Sequence, residues 1–207
     1  GQLNLLDEVN SSGTASIYTT TDLTLDNNSK TISSKAVYLG SLGKVVVDGT
    51  NAINGTNSVT VHAGENVQLK AGTLSSGAIN LYSYNGDIEE ASGFMLIAPV
   101  VNAIAAGNIL LDNYSNNQNN QLKQVNVSNT SGNIIVGSSN MDPGDLEIAI
   151  TTPDSIVDGN LIVHNYAAGE QNKIVLADKL KATGNISIIN EEANVGIGAN
   201  ANISAKN

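Results

Sequence analysis

The chain has 207 residues, room for one globular domain or one stretch of solenoid, and 41% of them are hydrophobic, so a core can form. Its formal net charge is −10, and its nine basic residues are all lysine, which argues against the basic patch that nucleic acid or an anionic membrane surface requires. Cysteine is absent, which excludes disulfides, thiolate metal sites and cysteine nucleophiles.

The rest of the composition is unusual. Asparagine occurs 30 times and glycine 20 times, while aromatics make up 3%, with no tryptophan and Phe94 as the single phenylalanine. Glycine and asparagine tolerate left-handed backbone, so they suit a chain that turns often. A core with so few rings must be filled by Ile, Val, Leu and Ala in thin layers.

The chain opens on polar, strand-like sequence, Gly1-Gln2-Leu3-Asn4, with no signal peptide, and reads as an internal piece of something longer. In chain order, short strands are expected at Leu23 and Leu25, at Val45 to Val47, at Val59 and Val61, at Val67 and Leu69, and at Ile79 and Leu81. Turn signals separate them: Asp26-Asn27-Asn28, Asp48-Gly49-Thr50-Asn51, Asn54-Gly55 and Asn85-Gly86-Asp87. Phe94 to Ala106 is the longest apolar run, too short and too interrupted by Pro99 and Asn102 to span a bilayer. Ala103 to Ala106 is the one place where a helical turn fits.

The second half repeats. Gly107-Asn108-Ile109, Gly132-Asn133-Ile134, Gly159-Asn160-Leu161 and Gly184-Asn185-Ile186 follow one another at a nearly constant spacing, a period in the range of solenoid repeats. Two positions after each apolar residue comes another, Leu111, Val136, Val163 and Ile188, which is the period of a strand. Asn113, Asn165 and Asn190 come next, with Ser138 in the remaining copy. Each copy carries a second short strand, at Val125 and Val127, at Leu146 to Ile150, at Ile174 and Leu176, and at Val195 and Ile197. The polar tract Asp112 to Gln121 reads as a loop at one corner.

A β-sandwich needs no such repeat, whereas a coil stacks each strand on its equivalent one turn away. There Ile stacks on Ile inside, and Asn stacks on Asn at corners, where amides bond along the stack. The expected fold is therefore all-β: a right-handed parallel β-helix of about eight or nine coils over residues 1–207, less regular over 1–76 and clearer over 77–207.

The pattern resembles the filamentous-haemagglutinin-like exoproteins of two-partner secretion systems. The resemblance rests on Gly77-Ala78-Ile79-Asn80-Leu81 with Asn85-Gly86-Asp87-Ile88-Glu89, on Phe94-Met95-Leu96 through Gly107 to Asn113, and on Gly184 to Ile188 with Val195-Gly196-Ile197. It implies export through an outer-membrane partner transporter, a secreted or cell-surface location, a long β-helical fibre, and adhesion to a receptor or glycan on host or neighbouring cells. The family's amino-terminal secretion domain, with its Asn-Pro motif, has no counterpart here, and nothing resembles a carboxy-terminal toxin module. The resemblance thus makes this chain shaft, with no nucleic-acid partner, no membrane insertion and no cofactor.

Enzymes occur on β-helices, but lyases of that fold use a basic residue with acidic Ca²⁺ ligands, and hydrolases use clustered carboxylates. Arginine is absent. Asp142 and Asp145 flank Pro143-Gly144 in a turn, while Glu89-Glu90 and Glu191-Glu192 read as solvated corners. His62 and His164 are the two histidines, and both read as exposed and non-catalytic without companions. No catalytic or metal site is therefore expected. The alternatives are a carbohydrate-active or carbohydrate-binding β-helix of tailspike or lyase type, and an autotransporter passenger. If Ile79 and Leu81 face inward, Asn80, Tyr82 and Tyr84 face outward together, two rings beside an amide that could stack on a sugar. Tyr114 and Tyr166 share an offset from their repeat glycines, which places them on one side of the rod, two coils apart. Eight Asn-x-Ser/Thr sequons occur, among them those at Asn54, Asn126 and Asn185, of which about five would arise by chance from this composition, so sugar modification is not expected here.

Overall fold

A computed structural model describes residues 2–3, 7–26, 30–112, 120–139, 146–151, 156–166, 174–176, 180–191, 195–197 and 203–205. Among these residues there is no helix, and every strand pairing is parallel. Seventeen strands join into one sheet, and Ile156–Val157, Leu180–Ala182 and Ile203–Ala205 form a second of three. The architecture is a parallel β-solenoid.

The register makes the coil explicit. Leu23 lies opposite Val45, then Val67, Ile88, Ile109, Ile134, Leu161 and Ile186, each one turn further on. These steps make about seven turns, slightly fewer than the expected eight or nine. The expected count divided the whole chain by one coil length; before Leu23 the row continues only as the short pairing of Gln2–Leu3 with Thr24–Leu25. At roughly 4.8 Å per turn the stack is about 34 Å long.

The inward rows are dry. Leu23, Val45, Val67, Ile88, Ile109, Ile134 and Leu161 are each fully buried, as are Val125, Val127 and Ile148 of the second strand row. Their aliphatic layers exclude water at about 25 cal/mol per Å² of apolar surface buried. Phe94 supplies the one ring of the core and is itself fully buried.

A ladder of Asx side chains holds one corner. The backbone N–H of Lys44 donates to Asp22 Oδ1 at 2.9 Å, and that of Asp87 to Asn66 Oδ1 at 3.3 Å. Above them Asn108 donates to Asp87 at 2.6 Å, Asn133 to Asn108 at 2.8 Å, Asn160 to Asn133 at 2.9 Å and Asn185 to Asn160 at 2.8 Å. The step from Asn66 down to Lys44 is missing because a lysine ammonium has no acceptor. The glycine before the Asx follows from the same contact in most coils, and at Gly159 from the backbone carbonyl of Gly132. A Cβ on Gly86, Gly107, Gly132 or Gly184 would fall on the Asx oxygen of the coil below.

Several expectations need correction in the first half. Asp48-Gly49-Thr50-Asn51 and Asn54-Gly55 do not break the chain; they lie inside one continuous strand, Val45–Ala63. The strand turns its corner through register shifts at Val47/Asp48 and Asp48/Ala52. Turn-forming residues there serve as bulges, which bend a strand while keeping it paired. Ala103 to Ala105 is strand and not helix, with both alanines buried at the end of Phe94–Ala105. The early coils are in fact the shorter ones: the steps from Val45 to Val67 and from Val67 to Ile88 use less chain than those from Ile109 to Ile134 and from Ile134 to Leu161. No helix among the described residues is long and apolar enough to cross a membrane.

Candidate functional site

One outer face of the rod collects rings. In register along it stand Tyr18, Gly40, His62, Tyr82 and Ile104, one per coil. Gly40, His62, Tyr82 and Ile104 each stand between buried residues, Leu39 and Ser41 beside Gly40 and Val61 and Ala63 beside His62, and Tyr18 is exposed between the half-buried Ile17 and Thr19, so the row faces out. At the adjacent corner Leu42, Gly64 and Tyr84 follow one another: Gly64 N–H donates to Ser41 O at 2.9 Å and Tyr84 N–H to Ala63 O at 3.0 Å. Among the described residues, four of the six exposed large apolar side chains are in this one patch: Tyr18 at 54%, Leu42 at 62%, Tyr84 at 67% and Ile104 at 45%.

His62 is its centre. The ring of Tyr84 lies 4.8 Å from it and that of Tyr82 5.5 Å, both centroid to centroid. Tyr38 stands edge-on at 6.3 Å and 87°, with its hydroxyl 3.1 Å from His62 Nδ1. Such ring pairs contribute about 0.5–1.5 kcal/mol each beyond their burial. Between the rings lies an open groove of about 260 Å³, lined by Tyr18, Tyr38, Ser41, Leu42, His62, Gly64 and Tyr84. The Tyr38 and Tyr18 rings close over Gly40, where a Cβ would stand 2.6 Å from the first and 2.8 Å from the second. No Asp, Glu or Lys lines it.

The expected contact residues fare differently. Tyr82 and Tyr84 face outward together, as the alternation around Ile79 and Leu81 requires, and both touch His62; Tyr84 lines the groove. Asn80 also faces outward, but its amide belongs to a second ladder. It donates to Thr60 Oγ1 at 3.4 Å and accepts from Asn102 at 2.8 Å, which in turn accepts from Asn126 at 2.8 Å. Tyr114, Asp142, Asp145 and Glu192 lie outside the described residues. Tyr166 is a clamp within the rod. Its hydroxyl donates to Asp112, lying 3.0 and 2.9 Å from the two carboxylate oxygens, and its ring packs 3.7 Å from that of His164.

Neither histidine is isolated, contrary to the expectation. His62 has three tyrosines about it, and His164 Nε2 lies 3.2 Å from Glu191 Oε1 as well as against Tyr166. Glu90 is not a solvated corner either: it is half-buried, opposite Leu69, and accepts from the buried Asn120 amide at 2.7 Å. Its neighbour Glu89 turns instead toward Gln68, at 3.4 Å. Among the described residues no group of three or more His, Asp or Glu is placed to hold a metal ion.

The sequence reading missed Tyr18, Tyr38, Leu42 and His62 as one site. The signal was present as spacing: Tyr18, Gly40, His62, Tyr82 and Ile104 recur at nearly equal intervals, one coil at a time. The longer repeat of the second half masked it.

No family model, curated protein or solved structure matches the chain. The patch and the rod that carries it are what bear on function.

Proposed function

We propose that this chain is a structural and adhesive shaft segment of a large secreted bacterial surface exoprotein of the filamentous-haemagglutinin-like kind, mediating attachment or cell contact. The observation that carries the reading is the unbroken parallel register from Leu23 to Ile186, a form suited to holding distance. Each coil packs against the coils beside it, so the stack extends along one axis. An uncharged aromatic patch on one side adds a surface for contact without any reactive constellation beside it.

Beads coated with the folded chain should attach to host cells saturably, and soluble chain should compete. The same preparation should release no reducing ends from a panel of polysaccharides. Failure of the beads to attach would remove the adhesive part of the reading, and release of reducing ends would replace it with a carbohydrate-active β-helix. The aromatic groove favours a second reading, a carbohydrate-binding β-helix, because its rings beside hydroxyls suit a sugar face.

A further inference from the structure

We infer that the groove between Tyr18 and Tyr84 is a binding site for a neutral oligosaccharide, lying lengthwise along the rod; the inference rests on the reading of this chain as an adhesive shaft. Four features select that occupant. The groove crosses four successive coils, from Tyr18 through Tyr38 and His62 to Tyr84, or about 14 Å at the strand spacing of a solenoid. That is an elongated slot, sized for a short chain of sugar rings and not for one compact headgroup. Its walls are tyrosine faces and the Leu42 side chain, which offer rigid apolar area to the C–H faces of a pyranose at little entropic cost.

The hydroxyls of Tyr18, Tyr82 and Tyr84 make no hydrogen bond to the described residues, so they are available to a ligand's hydroxyls. The lining holds no carboxylate and no ammonium, in a chain of net charge −10. A cationic ligand would find no counter-charge in the groove, and an anionic one would meet the repulsion of the whole molecule. A neutral ligand suffers neither.

Tyrosine emission is a clean reporter, because the protein has no tryptophan and four of its six tyrosines border the site. The chain is titrated with lactose, cellobiose, maltose and diacetylchitobiose, and with choline chloride, while saturation-transfer NMR records which ligand protons touch the protein. At least one sugar is expected to bind saturably through its ring C–H protons. Tyr18→Ala and Tyr84→Ala, both at exposed positions and checked for an unchanged circular dichroism spectrum, should each weaken it by about tenfold. Gly40→Ala, whose methyl would displace the Tyr18 and Tyr38 rings, should weaken it too, and Tyr166→Phe should leave it unchanged. Absence of saturable binding by any of the four sugars overturns the inference. So does sugar binding indifferent to Tyr18→Ala and Tyr84→Ala, or binding of choline alone. If beads carrying the folded chain still attach to cells in those cases, the shaft reading stands and the sugar groove falls; if attachment fails as well, both fall.

Discussion

The oxygen of Asn108 explains two residues of the next coil at once. It accepts the backbone N–H of Asn133 at 2.8 Å, and it fills the place where a Cβ on Gly132 would stand. Gly132 also has a φ of 91°, which disfavours any side chain there. The repeated Gly-Asn pair is therefore one device at Gly107, Gly132 and Gly184, where the Asx of the coil below cradles the glycine turn; at Gly159 the backbone of Gly132 fills that place. Asn133→Ala should lower stability by about 1–3 kcal/mol in urea unfolding, since it strips the acceptor from the Asn160 N–H. Asn133→Asp keeps that acceptor and should stay near the wild type, as Asp22 and Asp87 do at equivalent positions. Equal losses in the two variants would mean that the ladder oxygen is not the stabilising atom.

Within one strand, two residues separate the inside from the outside. Val163 is fully buried and lies opposite Val136 and Ile188, whereas Ile162 beside it faces out and is half-buried. Val163→Asp puts an unpaired carboxylate into a dry layer and should cost several kcal/mol. Hydrogen exchange should then show lost amide protection in the neighbouring strands Ile134–Ser138 and Ile186–Asn190. Ile162→Asn should cost far less, because its side chain can reach water. Ile134→Asp should behave like Val163→Asp. Unchanged melting of either buried-row variant would contradict the inward face. The same alternation makes Asn80, Tyr82 and Tyr84 legible as outward from the sequence alone. It could not say that the Asn80 amide is engaged in a ladder, because Thr60 and Asn102 each lie a full coil away along the chain.

For the whole molecule the coil is the unit of change. Deleting residues 88–108 removes one turn and joins Asp87 to Ile109, whose side chain takes the place of Ile88 in the same row. The shortened protein should fold cooperatively, with the rod about 4.8 Å shorter by small-angle scattering. Removing an odd number of residues from mid-strand, such as Val101 alone, reverses which face of the following residues is apolar and should abolish cooperative melting. A coil deletion that fails to fold would show that the turns are not interchangeable. The groove lies below this cut, on coils that contribute Tyr18, Leu42, His62 and Tyr84, so the deletion also leaves its lining in place.

The sequence by itself determined the all-β class, the parallel stacking, the inward rows of the second half and the amide ladders at corners, because each is written in a short period that local chemistry enforces. Ile109, Ile134, Leu161 and Ile186 recur with their Gly-Asn turns because every coil must present the same atoms to the coil below. Tertiary structure decided what depends on coil length. Whether Asp48 to Asn51 ends a strand or bends it is settled by the strands paired on either side. Which ring meets which is settled likewise, since Tyr18, Tyr38, His62 and Tyr84 converge only when the short early coils bring them into register. Residues far apart in a chain have no local chemistry in common, and only the pitch of the coil makes them neighbours.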